Sequence, residues 1–279
     1  MNYSDADVQV GVTASAYETI CLQVIAGHKT CEMNYSLFYG TIGLSKIQRV
    51  SGMPLRKESH EKIVSQELSE NDGSPLDIVK HCLGQLIDAR DPITHQHSKR
   101  VGTLTKLVAQ AVGVDERASA RLGNVAALHD IGKAVLPLEI ISKPTGLTRE
   151  EWELVKCHPT IGHTVLAGSG DPLMDIAAEL ALQHHEHFDG SGYPYGLSGD
   201  EISLPSRIIT ICDVYDALRR DRPYRRGIDH DETMNVITVG DGRTSPSHFD
   251  PKVLSAFILQ SRQIQHSFEL AKSLSDPFI

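Results

Sequence analysis

Apolar residues along the second half of the chain recur at helical spacing. His97, Val101, Leu104, Val108 and Ala111 fall three and four apart, so they share one face of a helix predicted to begin near Thr94. Leu122, Val125 and His129 form a stripe on a second helix, predicted over about 116–128. Helix start signals are equally orderly. Ser74-Pro75-Leu76-Asp77 offers an N-cap, a Pro at the first helical position and an acid in the first turn, for a helix running to about Ala89. Thr148-Arg149-Glu150-Glu151 spells a capping box opening a helix through Val155. Asp171-Pro172 opens a helix that delivers His184 and His185 at its end, and Pro205 one that carries Ile209, Asp213, Asp216 and Ala217. Asp250-Pro251 caps the last clear helix. No strand-like alternation exceeds four residues, and no internal repeat is present. Residues 74–262 therefore read as one all-α domain. Residues 1–73 read as an N-terminal segment with a helix over about 15–26 and a polar linker ending in Asn71-Asp72-Gly73. Residues 263–279 read as a C-terminal helical tail.

Composition narrows the function. The chain has 279 residues, 40% of them hydrophobic, and 27 Lys+Arg against 36 Asp+Glu, for a net charge of −9. That length allows one large domain, or one domain with an appendage. The acidic balance argues against binding long nucleic acid, but leaves room for a small anionic substrate held by a local basic cluster. No stretch approaches the length of a membrane span, and Asp5 and Asp7 without a basic leader predict no secretory signal. Five Cys without a CxxC pair predict free thiols in a reducing cytoplasm, with Cys157 and Cys212 packed in the core. Histidine is the outlier at 14 residues, which makes metal the first hypothesis.

The clustered polar residues sit beside apolar stripes, where a buried unpaired charge is costly. His97, His129, His158, His184 and His185, with Asp130 and Asp213, lie at separate helix ends and would satisfy one another by sharing metals. Imidazoles with a bridging carboxylate suit iron, manganese, nickel or zinc better than calcium or magnesium. Each residue also has a plainer reading taken singly. His97 can be a core histidine, His184-His185 a helix end favoured by its dipole, and Asp213 with Asp216 an exposed acidic face. Arg219 to Arg226 can be a solvated charge run, Lys133 a helix-end cap and Tyr193-Pro194 a surface turn.

Four separated motifs turn the balance. Asp91-Pro-Ile-Thr-His-Gln-His97 resembles the opening of the HD-GYP family, and His129-Asp130-Ile131-Gly132-Lys133 its HDIGK motif. His184-His185-Glu186 followed by Asp189-Gly190-Ser191-Gly192-Tyr193-Pro194 resembles its HHE…DGxGYP signature. Asp213-Val214-Tyr215-Asp216-Ala217-Leu218 followed by Asp221-Arg222-Pro223-Tyr224-Arg225 resembles its DVxDAL…DRPYR motif. The resemblance covers residues 74–262 and implies an HD-domain helical bundle. It implies hydrolysis of cyclic di-GMP to pGpG, and in some members on to GMP, at a centre of two iron or manganese ions. By the same resemblance His97, His129, Asp130 and Asp213 hold one ion, and Asp130, His158, His184 and His185 the other. The alternative function is a cyclic di-GMP receptor or docking module with little turnover. Other nucleotides, including hybrid cyclic dinucleotides, are a further alternative.

The chemistry agrees with that implication. Two metals about 4 Å apart lower the pKa of a bridging water and cradle phosphate oxygens. Lys133 would offset phosphoryl charge or protonate the leaving oxygen. Arg222 and Arg225 would pair with phosphate or the Hoogsteen edge of guanine. Gly190 and Gly192 permit a bend that sets Tyr193 at the pocket rim, facing a guanine, and Asp91 would contact substrate or a ligand histidine. Ile93, four residues before His97, offers no oxygen where trinuclear members have a Glu, so no third ion is expected at that position. His187 stands where the family commonly has Arg or Lys. His230 and His248 match no ligand position and are expected to be surface or satisfied core residues. The resemblance leaves open a homodimer, and partners of the diguanylate cyclase type docking on the Gly-Tyr-Pro loop.

Overall fold

The structure, a computed structural model of the chain, describes residues 92–221 and 226–273. Among the described residues ten α-helices follow in order: α1 Pro92–Ala111, α2 Glu116–Ala126, α3 Leu138–Ile141, α4 Arg149–Val155, α5 His158–Leu166, α6 Pro172–Gln183, α7 Leu204–Arg219, α8 His230–Val239, α9 Pro251–Leu259 and α10 Ser261–Ser273. Short 3-10 turns occupy Ile131–Val135, Gly199–Glu201 and Pro246–His248. Among the described residues there is no strand, only an isolated bridge between Asp189 and Ser198. No described helix is long and apolar enough to cross a membrane. The expected helices over 15–26 and 74–89, the linker, Asp91, Arg222 and Arg225 lie outside the described residues, as does the chain beyond 273.

The predicted stripes form the core. On α1, Val101, Leu104 and Val108 are fully or almost fully buried, and they meet Leu122 and Val125 of α2. α1 also packs on α7, α9 and α10, while α6 packs on α2, α5 and α7. α7 runs through the middle: Ile208, Ile209, Ile211, Cys212 and Tyr215 are buried on every side. Cys157 and Cys212 are both free and buried, as expected.

The starts of these helices are held by the expected caps. Thr148 Oγ1 accepts from the Glu151 amide at 3.2 Å, and Glu151 accepts from the Thr148 amide at 2.7 Å. Asp171 caps α6 through the Leu173 and Met174 amides, while α7, expected to open at Pro205, starts at Leu204 behind a Ser203 cap that the sequence reading did not name. Three helices lacked a prediction of their own, the four-residue α3 among them. α8 begins behind Asp229, whose side chain accepts from the Glu232 amide, and α5 begins without a side-chain cap. Asp250 caps α9 through the Lys252 and Val253 amides, as expected, and α10 follows almost directly from Ser261, ahead of the expected start of the tail, burying Ile264 and Phe268.

One boundary differs in a way that matters. α2 ends at Ala126, and the chain tightens into i→i+3 bonds, Leu128 to Val125 at 2.9 Å and His129 to Ala126 at 3.2 Å. His129 and Asp130 therefore stand in a turn beyond the helix, not on its stripe. The turn is pinned against α5 by Gly132. A Cβ there would lie 2.0 Å from the His158 carbonyl oxygen and 2.7 Å from the Gly162 nitrogen. Both opposing atoms are backbone, so neither yields by rotation. Gly132→Ala is expected to cost about 3 kcal/mol of stability or more, as overpacking at an unyielding site does; an unchanged urea midpoint would show that the turn relaxes freely.

Candidate metal centre

Five chain segments converge on one buried point. α1 supplies His97, the turn after α2 supplies His129 and Asp130, and α5 supplies His158 as its first residue. His184 stands at the C-cap of α6 with His185 next to it, and α7 supplies Asp213. Two groups of ligand atoms form, each within 4.8 Å of one another: Asp130, His158, His184 and His185 in one, His97, His129 and Asp213 in the other. All seven residues expected from sequence to bind metal are thus brought together.

Asp130 stands between the groups and faces both. Its Oδ1 lies 3.3 Å from His158 Nε2 and 3.6 Å from His184 Nε2. Its Oδ2 lies 3.5 Å from His129 Nε2 and 3.8 Å from His97 Nε2. Asp213 Oδ1 completes the second group, 3.2 Å from His97 Nε2 and 3.9 Å from His129 Nε2.

Hydrogen bonding decides which ring nitrogens are free. His129 Nδ1 bonds the Ala126 carbonyl at 2.7 Å, His158 Nδ1 the Val155 carbonyl at 2.7 Å, and His184 Nδ1 the Ala181 carbonyl at 2.9 Å. A carbonyl oxygen can only accept, so each Nδ1 carries the proton and, in the neutral ring, each Nε2 a lone pair. His158 Nε2 and His184 Nε2 then face each other at 3.1 Å as two acceptors. His129 Nε2 and Asp130 Oδ1 are buried and make no hydrogen bond. Converging lone pairs without donors are expensive in a dry interior, and a cation satisfies all of them together. The imidazole and carboxylate set suits a divalent transition metal.

The charges fit the same reading. Burial pushes the Asp130 carboxyl up, but Lys133 and His129 outweigh it and hold the group well below the usual carboxylate range. Burial likewise opposes ionisation of Asp213, and His97 overcomes it. Burial takes His158 down to about 4 and holds His184 low and His185 well below its ordinary value. His97 is the exception. Burial lowers it, yet the carboxylates of Asp213 and Asp216 raise it to about 9. Lys133 Nζ lies 2.5 Å from Asp130 Oδ2 with its side chain 30% exposed, which sets this ammonium at the edge between the centre and solvent.

Three positions depart from their plainer readings. Asp216 is not part of an exposed acidic face: it is fully buried, because His97 Nδ1 donates to it at 2.7 Å and Arg100 at 2.5 Å and 3.1 Å. That arrangement orients His97 and sets its Nε2 toward Asp213 and Asp130. Arg219 is not solvated either; it is buried, pairs with Glu269 and lies 4.9 Å from the Phe268 ring centroid. Tyr193 is half-buried, stacked on His185 with ring centroids 4.8 Å apart and 6.4 Å from Trp152. Its backbone is set by close packing at Gly192, where a Cβ would lie 2.3 Å from the His187 nitrogen.

Sequence reasoning assigned no role to Asp216, Arg100 or Glu186. Glu186 is buried and accepts from the Tyr195 amide at 2.7 Å and the Leu197 amide at 3.0 Å, tying the glycine-rich loop to the residue after His185. Glu186 and Asp216 stood inside the recognised motifs, and Arg100 one helical turn from His97, but none of these signals carried a role. Asp216→Asn is expected to weaken divalent metal binding about 10–100-fold, since it removes the anionic partner of His97; titration of metal into the stripped protein measures it, and unaltered affinity would dismiss the orienting role.

The sequence matches the HD domain family over residues 81–253. It is 35% identical over 212 residues to a cyclic di-GMP phosphodiesterase of Thermotoga maritima, covering 76% of this chain and 56% of the relative. It is 36% identical over 183 residues to the cyclic di-GMP phosphodiesterase response regulator RpfG of Xanthomonas campestris, covering 66% and 47%. It is 37% identical over 166 residues to the 3'3'-cGAMP-specific phosphodiesterase 3 of Vibrio cholerae, covering 60% and 36%. The chain thus spans about half the length of the relatives it matches, or less.

Proposed function

The chain belongs to the HD domain family, and from that premise we propose that it is an HD-GYP-type, metal-dependent phosphodiesterase hydrolysing cyclic di-GMP to pGpG. The observation that carries the reading is the two-faced Asp130, buried between two histidine groups with Lys133 at its outer edge. The relatives named as cyclic di-GMP phosphodiesterases support the substrate class.

In this proposal His97, His129, Asp130 and Asp213 hold one divalent ion, and Asp130, His158, His184 and His185 the other, with iron or manganese as the metals. Such a pair supplies an acidified water and neutralises phosphate charge. The protein's own residues do the rest. Asp130 spans both groups and fixes their separation. Lys133 reaches the edge of the centre, where its ammonium offsets charge developing on the phosphoryl group and hands a proton to the leaving oxygen. Tyr193, fixed by its stack on His185, presents aromatic surface to a guanine. Arg222, Arg225 and Asp91, outside the described residues, are proposed as substrate contacts. Residues 74–262 form the catalytic domain in this reading, a cytoplasmic one, and the loop around Gly192 is the docking face for any protein partner.

A 3'3'-cGAMP-specific relative of equal identity favours the hybrid dinucleotide as the second reading. Purified protein loaded anaerobically with iron or manganese should deplete cyclic di-GMP faster than 3'3'-cGAMP and release pGpG, followed by chromatography. Binding without depletion would assign a receptor instead, and faster loss of 3'3'-cGAMP would reassign the substrate.

Two variants separate the roles. Asp130→Ala should lose both metal and turnover, because one carboxylate serves both groups; normal metal content and activity would reject the shared role. Lys133→Ala should keep its metal and lose about 100-fold in kcat, the usual cost of removing a charge donor aimed at the transition state. Wild-type kcat in that variant would remove Lys133 from the chemistry.

A further inference from the structure

A third set of ligand-type side chains converges outside the buried centre. His187 and Asp189, on the loop after α6, and His248, in the 3-10 turn Pro246–His248, each bring a ligand atom within 4.8 Å of the others. The two loops are already joined. The Phe188 amide donates to the His248 carbonyl at 2.9 Å, and Ser247 Oγ donates to Asp189 Oδ2 at 2.7 Å. The imidazoles of His187 and His248 lie face to face, centroids 3.9 Å apart and planes 11° from parallel. We propose that His187, Asp189 and His248 form an outer site for one divalent transition ion of the zinc class, separate from the buried centre.

The hydrogen bonds prepare His187 for this. Ser191 Oγ donates its one proton to Asp189 Oδ1 at 2.6 Å. The 2.9 Å contact between His187 Nδ1 and Ser191 Oγ must then be donated by the ring, which leaves His187 Nε2 as a lone pair. The donors on Asp189 are all neutral: the Ser191 amide and hydroxyl and the Ser247 hydroxyl. Its negative charge is thereby oriented without being cancelled. His248 needs a small adjustment. Its Nδ1 faces the Ser245 amide at 3.4 Å, a long contact that is given up when the proton moves to Nδ1 and frees Nε2. The two rings must also splay from their parallel stack to point at one ion. Both are only half-buried, so rotation about the ring bond meets little resistance.

Two imidazoles and a carboxylate, with water completing the shell at an accessible surface, form the donor set of an open zinc-type site. Bound there, an ion would fasten the loop that carries Gly192 and Tyr193 to the turn that precedes α9.

The test uses the full chain and zinc alone, by equilibrium dialysis with metal analysis. Wild-type protein should bind one zinc beyond those of the buried centre. His187→Ala, His248→Ala and Asp189→Asn should each weaken that one equivalent about tenfold or more, with the remaining zinc untouched. In Asp130→Ala protein the outer equivalent should persist and then disappear on adding His187→Ala. Asp189→Asn keeps the shape of the side chain and one acceptor oxygen for Ser191, and the Ser247 hydroxyl can turn to accept from the new amide, so its result does not depend on a larger rearrangement. If the three variants follow the wild-type binding curve over the whole range of free zinc, the site does not exist. The readout is zinc binding without substrate, so its failure is distinct from failure of the phosphodiesterase reading.

Discussion

The structure depends on keeping one carboxylate ionised where water does not reach. Asp130 is 2% exposed, and an isolated charge at that depth would neutralise instead of persisting. The Lys133 ammonium, 2.5 Å away in its own turn, is the foremost group holding it ionised, with the rings of His129 beside it and His158 of α5 set against it. His129 and Lys133 share the turn of Asp130, whereas His158 has to arrive from a separate segment, α5. The requirement propagates outward to Gly132, which lets the turn touch the α5 backbone, and to the short turn that lifts His129 and Asp130 clear of α2. The helical bundle is the scaffold that holds these approaches fixed.

Much of this was legible in the sequence, for identifiable reasons. Apolar spacing located α1, polar caps located α4, α6 and α9, and Pro205 located α7, because all these signals are local and act on the helix that contains them. The seven ligand candidates were legible because histidines and aspartates beside apolar stripes need partners, and because four motifs in order outweighed the plainer reading of each. The end of α2 was not, since a residue three positions on fits a helical stripe and an i→i+3 turn equally well. α10 was misplaced as a tail beginning after its actual start, because it follows α9 without a cap or a break at the surface to announce it.

The misread acids and bases share one cause. Asp216 looked like half of an exposed acidic pair because Asp213 lies three residues before it. Its burial depends on His97 and Arg100, which are more than a hundred positions away in the chain. Arg219 looked solvated in its charged run, but its partners, Glu269 and Phe268, belong to α10. A charged side chain is buried or exposed according to what the tertiary fold sets against it, and no local window contains that information. The same holds for His248, set aside as an ordinary histidine until the fold stacked it on His187.

The way the histidines are oriented divides the centre into two kinds of support. His129, His158 and His184 are all fixed through Nδ1 by backbone carbonyls one helical turn or less behind them. Those acceptors belong to the backbone of the same segment, so side-chain substitution does not remove them. His97 is fixed by Asp216, which is fixed in turn by Arg100 from one turn along the same helix. That chain consists of side chains only, and the carboxylates of Asp213 and Asp216 raise the basicity of the ring. The group containing His158 and His184 is therefore set by backbone geometry, whereas His97 is set by chemistry that one substitution can change. In a two-ion centre built this way, the His97 side is the half whose affinity can be tuned without disturbing the packing of the other.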